Sequence, residues 1–258
     1  MLSEKEPPAQ RSEWDQKEMP FTEHLRELRS RLLVALATVG IIAALLFIPS
    51  KDVIVWMVRT YFGGVELHAF GPADVIVTEF KFSIIGGIVV GLPMLLYQIW
   101  MFVVPAINPR TRRMVYGFIV PSLLLSFAGL AFAHFIVIPR VVHALIAITD
   151  AVAAPTFGVA STINFVLIIL GIFAIIFQMP IVLVGLARLG IVTPRTLGRY
   201  RRHAFLGFFI VGGIAAPDGN PLTMALIALP MYALYEISIW VILILERSWR
   251  VRGISAAS

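Results

Sequence analysis

Apolar residues along this chain gather into long runs, and polar residues are confined to the gaps between them. Runs near ~20 residues, the length that crosses a hydrocarbon core of ~30 Å as a helix, extend from Leu32 to Ile48, Phe82 to Val104, Met114 to Ile138, Ile163 to Ala187, Ala204 to Ala216 and Leu222 to Leu245. The pattern predicts an all-α polytopic membrane protein with one six-span domain over residues 19–247, flanked by short polar tails at 1–18 and 248–258. The fifth run is short, ~20 Å at ~1.5 Å per residue, so as a span it would thin the membrane locally or lean on its neighbours.

The gaps carry structure of their own. Val53 to Phe62 reads as an interfacial helix with the aromatic anchors Trp56, Tyr61 and Phe62, and Arg140 to Ile148 as a second, weaker one. Gly63-Gly64, Gly71-Pro72 and Ala154-Pro155 break the chain around them. Pro93, Pro105, Pro121, Pro139, Pro180, Pro217, Pro221 and Pro230 lie within or at the edges of the runs. Each removes a backbone donor and bends or ends its helix.

Composition agrees with the pattern. With 59% hydrophobic and 14% charged residues, against ~25% charged in soluble proteins, the apolar surface exceeds what one soluble core could hide. The first 31 residues hold no apolar stretch or small-residue cleavage site, so no removable signal peptide is expected. Residues 1–18, rich in Glu, Lys, Pro and Gln, read as a disordered tail. The absence of cysteine excludes disulfides, thiolate metal sites and cysteine nucleophiles.

A formal charge of +6 raises the question of nucleic acid, but the arginines are dispersed among the loops and form no single basic patch, so no nucleic-acid partner is expected. Topology accounts for them. Of the 21 Lys and Arg residues, only Lys51, Arg59, Lys81 and Arg140 fall outside the two tails and the loops after the second and fourth runs. Cytoplasmic loops collect such residues, which predicts both termini in the cytoplasm.

Little points to covalent chemistry. No HExxH, GxSxG or GxxxxGK[ST] motif occurs, and His24, His68, His134, His143 and His203 lack the i, i+4 spacing of a helical metal pair. Neither a metal, a cofactor nor enzymatic catalysis is expected. Gln178, deep in the fourth run beside Pro180, reads either as a functional polar residue or as a helix-to-helix hydrogen bond. His134 reads as packed or interfacial, and Glu236 either faces the bundle or reaches the cytoplasmic interface. Before the first run, Glu23-His24-Leu25-Arg26-Glu27-Leu28-Arg29-Ser30-Arg31 places Glu27 and Arg31 at i, i+4. That is a charged helix entrance, and also a carboxylate at the membrane surface that a ligand carrying arginines would seek.

Four phrases carry a resemblance. They are Glu23-His24-Leu25-Arg26-Glu27-Leu28-Arg29 before the first run, Leu96 to Pro105 (LYQIWMFVVP) ending the second, Phe177-Gln178-Met179-Pro180 in the fourth, and Leu229 to Ile237 (LPMYALYEI) in the sixth. Taken in order, from about Met19 to Arg247, the chain resembles the TatC family, the multispanning receptor subunit of the twin-arginine protein translocase. The resemblance implies a glove-shaped six-helix bundle in the prokaryotic cytoplasmic membrane, as a homo-oligomer within a larger complex. It implies binding of twin-arginine signal peptides of folded cargo and transport driven by the proton-motive force, together with small single-span subunits of the TatA/TatB type. By position, Glu23, Glu27, Leu28, Arg29, Phe102, Pro105 and Thr111 would form the signal-peptide site, Gln178 an intramembrane partner contact, and Gly213, Ile214, Thr223 and Met224 the docking face for the small subunits.

Two positions depart from the family, which usually has glutamate where this chain has Thr111 and Gln178. With Thr111, arginine binding rests more on Glu27, Glu23 or a partner chain. In Ala216 to Pro221, either Asp218 or Asn220 stands for the family's usual acidic residue. The alternative, a small-molecule or ion secondary transporter, would predict inverted repeats, and the two halves differ in run length and loop motifs.

Overall fold

The computed structural model describes residues 21–63, 67–107, 112–150, 157–216 and 219–251. Ten α-helices follow one another there: α1 (Phe21–Phe47), α2 (Ser50–Phe62), α3 (Asp74–Ile107), α4 (Arg112–Phe132), α5 (Ile138–Asp150), α6 (Val159–Ile176), α7 (Met179–Arg188), α8 (Pro194–Arg199), α9 (Arg201–Ala215) and α10 (Pro221–Val251). Two loops meet in a small parallel bridge, in which β1 (Leu67–His68) pairs with β2 (Phe157–Gly158). Sequence reading missed this bridge, because two residues are too few to show a pattern.

Among the described residues, five helical stretches are long and apolar enough to cross a membrane: Leu25–Phe47, Asp74–Val103, Gly117–Asp150, Val159–Arg188 and Pro221–Glu246. They coincide with the first four apolar runs and the last. The short run forms α9, whose 15 residues span ~22 Å at ~1.5 Å per residue, less than the ~30 Å of hydrocarbon. Large apolar side chains cover the outside of the bundle, among them Ile41, Leu45, Leu124, Phe127 and Trp240. Such a surface suits lipid rather than water.

The expected second interfacial helix does not stand apart. α5 continues α4 through a π-helical turn, Ala133–Val137, in which the Ile138 N–H donates to Ala133 O, five residues back. Pro139 follows this turn without ending the helix, and the Arg140 guanidinium donates to Ile136 O at 2.8 Å, a backbone acceptor near the proline. Pro180 has a stronger effect on the fourth run, which divides into α6 and α7. There the Gln178 N–H reaches back only three residues, to Ile175 O at 3.0 Å, and Pro180 occupies the first turn of α7, where no donor is needed.

α1 runs antiparallel to α3 and packs on it closely because α3 presents glycine. A Cβ on Gly87 would lie 2.9 Å from both Val39 O and Ala43 Cβ, so only glycine lets the two backbones approach this far. The largest core sits at the far end of the bundle from the start of α1, where Phe173, Ile163, Ile169, Ile138, Val141, Ile227 and Met231 are buried. α2 closes that end by inserting Ile54, Met57 and Phe62. It also holds His134, whose ring stacks on Trp56 at 5.3 Å between centroids and whose Nδ1 shares a hydrogen bond with the Tyr61 hydroxyl. Burial pushes the Tyr61 pKa up to about 12, so the hydroxyl keeps its proton and can donate to that nitrogen.

Candidate functional site

At the end of the bundle where α1 begins, the expected Glu27 and Arg31 pair forms. Arg31 Nε and Nη2 both donate to Glu27 Oε1, at 3.0 and 2.5 Å, and Arg31 Nη1 donates to Gln98 Oε1 on α3 at 3.3 Å. The two charged side chains are about one-fifth exposed, at 22% for Glu27 and 18% for Arg31, while Gln98 is buried. Leu28 and Arg29 follow on the exposed part of the same turn and carry this surface around α1. Successive turns of α3 stack residues four apart, so Phe102, half-buried, continues the face of Gln98 toward the end of the helix.

Not every expected site residue is described at this end. Glu23 lies on α1 one turn before Glu27, and Pro105 lies in the last turn of α3; their side chains fall outside the described residues, as does Thr111 altogether. Gln98 was not singled out from the sequence. Its only signal was a polar residue inside the apolar phrase Leu96 to Pro105.

Behind this face, α3 is held against α4 and α7 by Trp100. The indole is buried, lies 5.6 Å from the Phe118 ring, and sits directly over Gly185 of α7, where a Cβ would come within 2.2 Å of it. Trp100 and Met101 form a separate apolar cluster with Leu96, Tyr97, Phe118, Leu186 and Leu189. The end of α3 that carries Phe102 is thereby fixed to the rest of the bundle.

Gln178 occupies the break between α6 and α7 and is buried. Its Oε1 accepts from Ser122 Oγ at 2.7 Å, and its Nε2 donates to Ser126 Oγ at 2.7 Å and to Ser122 O at 3.2 Å. Both amide hydrogens are therefore used within the chain, across to α4. Hydrogen bonds of this kind between membrane helices average ~0.6 kcal/mol, and serines can fall back on their own helix carbonyls. Gln178→Leu is accordingly expected to cost only ~1 kcal/mol, read as a melting temperature a few degrees lower by intrinsic fluorescence. A loss beyond ~3 kcal/mol would mean that the amide does more than join two helices.

α9 and α10 form a hairpin with charge at one end and small residues at the other. Glu236, undecided from the sequence, reaches Arg201 at the start of α9 at 2.9 Å and accepts from the Tyr232 hydroxyl at 2.7 Å. The neighbouring Tyr235 hydroxyl donates to Leu197 O of α8 at 2.8 Å. Near the turn, Gly212 and Gly213 lie against Met224, with Met224 O 2.8 Å and Met224 Cε 2.9 Å from where Cβ atoms would stand. Ile214 points outward, 81% exposed, whereas Thr223 is fully buried. The structure thus gathers Gly213, Ile214, Thr223 and Met224 at one hairpin, far along the chain from the Glu27 face.

The model of the family described as "Sec-independent protein translocase protein (TatC)" matches residues 23–230. Among curated proteins, the Sec-independent protein translocase protein TatC of Aquifex aeolicus is 35% identical, over 86% of this chain and 94% of that protein. TatCy of Bacillus subtilis is 36% identical, over 86% and 88%. Among solved structures, a crystal structure of the twin arginine translocase receptor TatC in DDM superposes with a TM-score of 0.78 at 34% identity, covering 85% of this chain and 99% of that one.

Proposed function

This chain belongs to the TatC family of Sec-independent protein translocase proteins, and on that premise we propose that it is the receptor of a twin-arginine translocase, binding signal peptides at the face built by Glu27, Leu28, Arg29 and Phe102. It is a multi-pass membrane protein and a component of the Sec-independent translocase. The observation that supports the binding face is the Glu27 carboxylate, partly exposed at the start of a membrane helix and tied to α3 through Arg31 and Gln98. A carboxylate at a surface of intermediate polarity favours guanidinium over ammonium, because the planar fork can make two parallel bonds to it.

The fuller assembly follows the same reading. α9 serves as the sixth crossing, with both termini on the cytoplasmic side of a prokaryotic inner membrane. In support, Arg26, Arg29, Arg31, Arg188, Arg195, Arg199 and Arg201 belong to the Glu27 end of the helices, and Lys51, Arg59, Lys81 and Arg140 to the other. Small single-span TatA/TatB-type subunits dock at Gly213, Ile214 and Met224, where the exposed Ile214 stands beside close-packed glycines, and Thr223 braces the hairpin from inside. The protein works by binding, without enzymatic catalysis. Nothing in the comparisons favours a secondary transporter.

The test is binding of a synthetic Arg-Arg signal peptide and its Lys-Lys counterpart to the purified chain in nanodiscs, for wild type and Thr111→Glu. Arg-Arg preference is expected in both, ~10-fold stronger in Thr111→Glu if the added carboxylate contributes one charge-assisted contact. Equal affinity of the wild type for the two peptides would remove the receptor reading.

A further inference from the structure

The geometry points to Arg31 as an internal occupant of the arginine site, one that holds Glu27 until a signal guanidinium replaces it, with Gln98 keeping Arg31 afterwards. The inference rests on the receptor reading and adds a competitor to it. The Arg31 guanidinium already balances the Glu27 charge that an incoming arginine would seek: Nε and Nη2 both donate to one carboxylate oxygen, Oε1, at 3.0 and 2.5 Å. A second arginine therefore meets a carboxylate whose charge is already balanced, at a position only 22% exposed where solvent screens incompletely. Two guanidinium groups would then share the single negative charge of Glu27, so binding of the signal arginine weakens the hold on Arg31 and the two are linked.

Gln98 makes the release inexpensive. An ordinary i, i+4 pair on a helix surface would return its arginine to water, but this one has a third contact, from Nη1 to Gln98 Oε1 at 3.3 Å, between residues 67 apart in sequence. Gln98 is buried on α3, so its carbonyl is fixed and partly desolvated, and it is neutral, so it can accept more of the guanidinium without competing for the signal. Movement of Arg31 from Glu27 toward Gln98 would also report occupancy from α1 to α3, whose next turn carries Phe102.

The competitor reading and a merely structural one predict opposite signs. A structural pair predicts that removing Arg31 loosens α1 and weakens peptide binding. The competitor predicts that Arg31→Gln, in the full chain in nanodiscs, binds the Arg-Arg peptide ~3- to 10-fold more tightly, the gain expected from one vacated charge-assisted contact at a partly exposed site. Gln98→Leu should weaken Arg-Arg binding a few-fold when Arg31 is present and have no effect in the Arg31→Gln background. Should Arg31→Gln fail to purify as a single species, Arg31→Lys, whose single ammonium leaves more readily, is expected to show a smaller tightening. Unchanged or weaker binding in a folded Arg31 variant, or a Gln98→Leu effect that persists without Arg31, overturns the inference. A wild type that does not prefer Arg-Arg over Lys-Lys would instead fail the receptor reading itself, so the two failures are distinguishable.

Discussion

Gly185→Ala is expected to destabilise the protein more than any other single methyl group added to a described helix contact, by ~3 kcal/mol or about 10 °C in melting temperature. The new Cβ would lie 2.2 Å from Trp100 Cη2 and 2.3 Å from Cζ2, well inside van der Waals contact. Trp100 cannot yield easily. It is buried, bounded by Phe118, and leaves beside it only a cavity of about 10 Å³, room for about one water. Either α7 moves away from α3 or the indole leaves its rotamer, and both disturb the end of α3 on which Phe102 sits. Intrinsic fluorescence of purified protein gives the melting curve directly, and the chain has 5 tryptophans to report it. Trp100→Leu placed on Gly185→Ala should recover part of the loss, because the smaller side chain vacates the position of the clash. A wild-type melting temperature for Gly185→Ala, or no rescue by the second change, would show that the close approach is not what holds these helices.

The largest functional effect is expected from Glu27→Gln. It keeps the size and one acceptor of the side chain while removing the charge, so α1 and its packing on α3 should survive. A hydrogen bond to a charged partner contributes ~1.5–3 kcal/mol, so affinity for an Arg-Arg peptide should fall ~10- to 100-fold while affinity for the Lys-Lys peptide, already weak, changes little. Preference and not affinity alone is the informative quantity, since a misfolded variant would lose both peptides together. If Glu27→Gln retains the wild-type ratio, the arginines are read elsewhere, and Glu23 becomes the next residue to substitute.

Much of the architecture was legible because lipid leaves few options. Long apolar runs become helices, for no other open chain can satisfy its own backbone in hydrocarbon, and α1, α3, α6 with α7, and α10 all fall on such runs. The helix α2 was legible as a separate element from the stretch Val53 to Phe62, set off by the Gly63-Gly64 break. Pro139 misled, since a proline ordinarily ends a helix, and nothing in the one-dimensional pattern shows that a widened turn and the Arg140 guanidinium accommodate it. The candidate site was legible only in part. Glu27 and Arg31 are neighbours along one helix and can be paired by spacing, whereas the Gln98 contact depends on how α1 lies on α3. The same limit applies to Gln178, whose hydrogen bonds to Ser122 and Ser126 depend on how α4 lies against the break between α6 and α7, and to Gly185, an unremarked small residue until Trp100 is placed above it.

The π-helical turn has a consequence for phase. A helix advances ~100° per residue, and the one extra residue that the turn accommodates offsets every side chain after it by that angle relative to an unbroken α-helix. Ile138 and Val141, fully buried, and Val142, 2% exposed, face the core because of that offset. Deleting a single residue from Ala133–Val137 would leave α5 helical but rotate those three toward lipid and carry exposed neighbours inward. A one-residue gap at this point between two relatives is therefore not a neutral length change in a membrane helix: it re-addresses the whole of α5, and must be matched by a shifted set of apolar positions downstream.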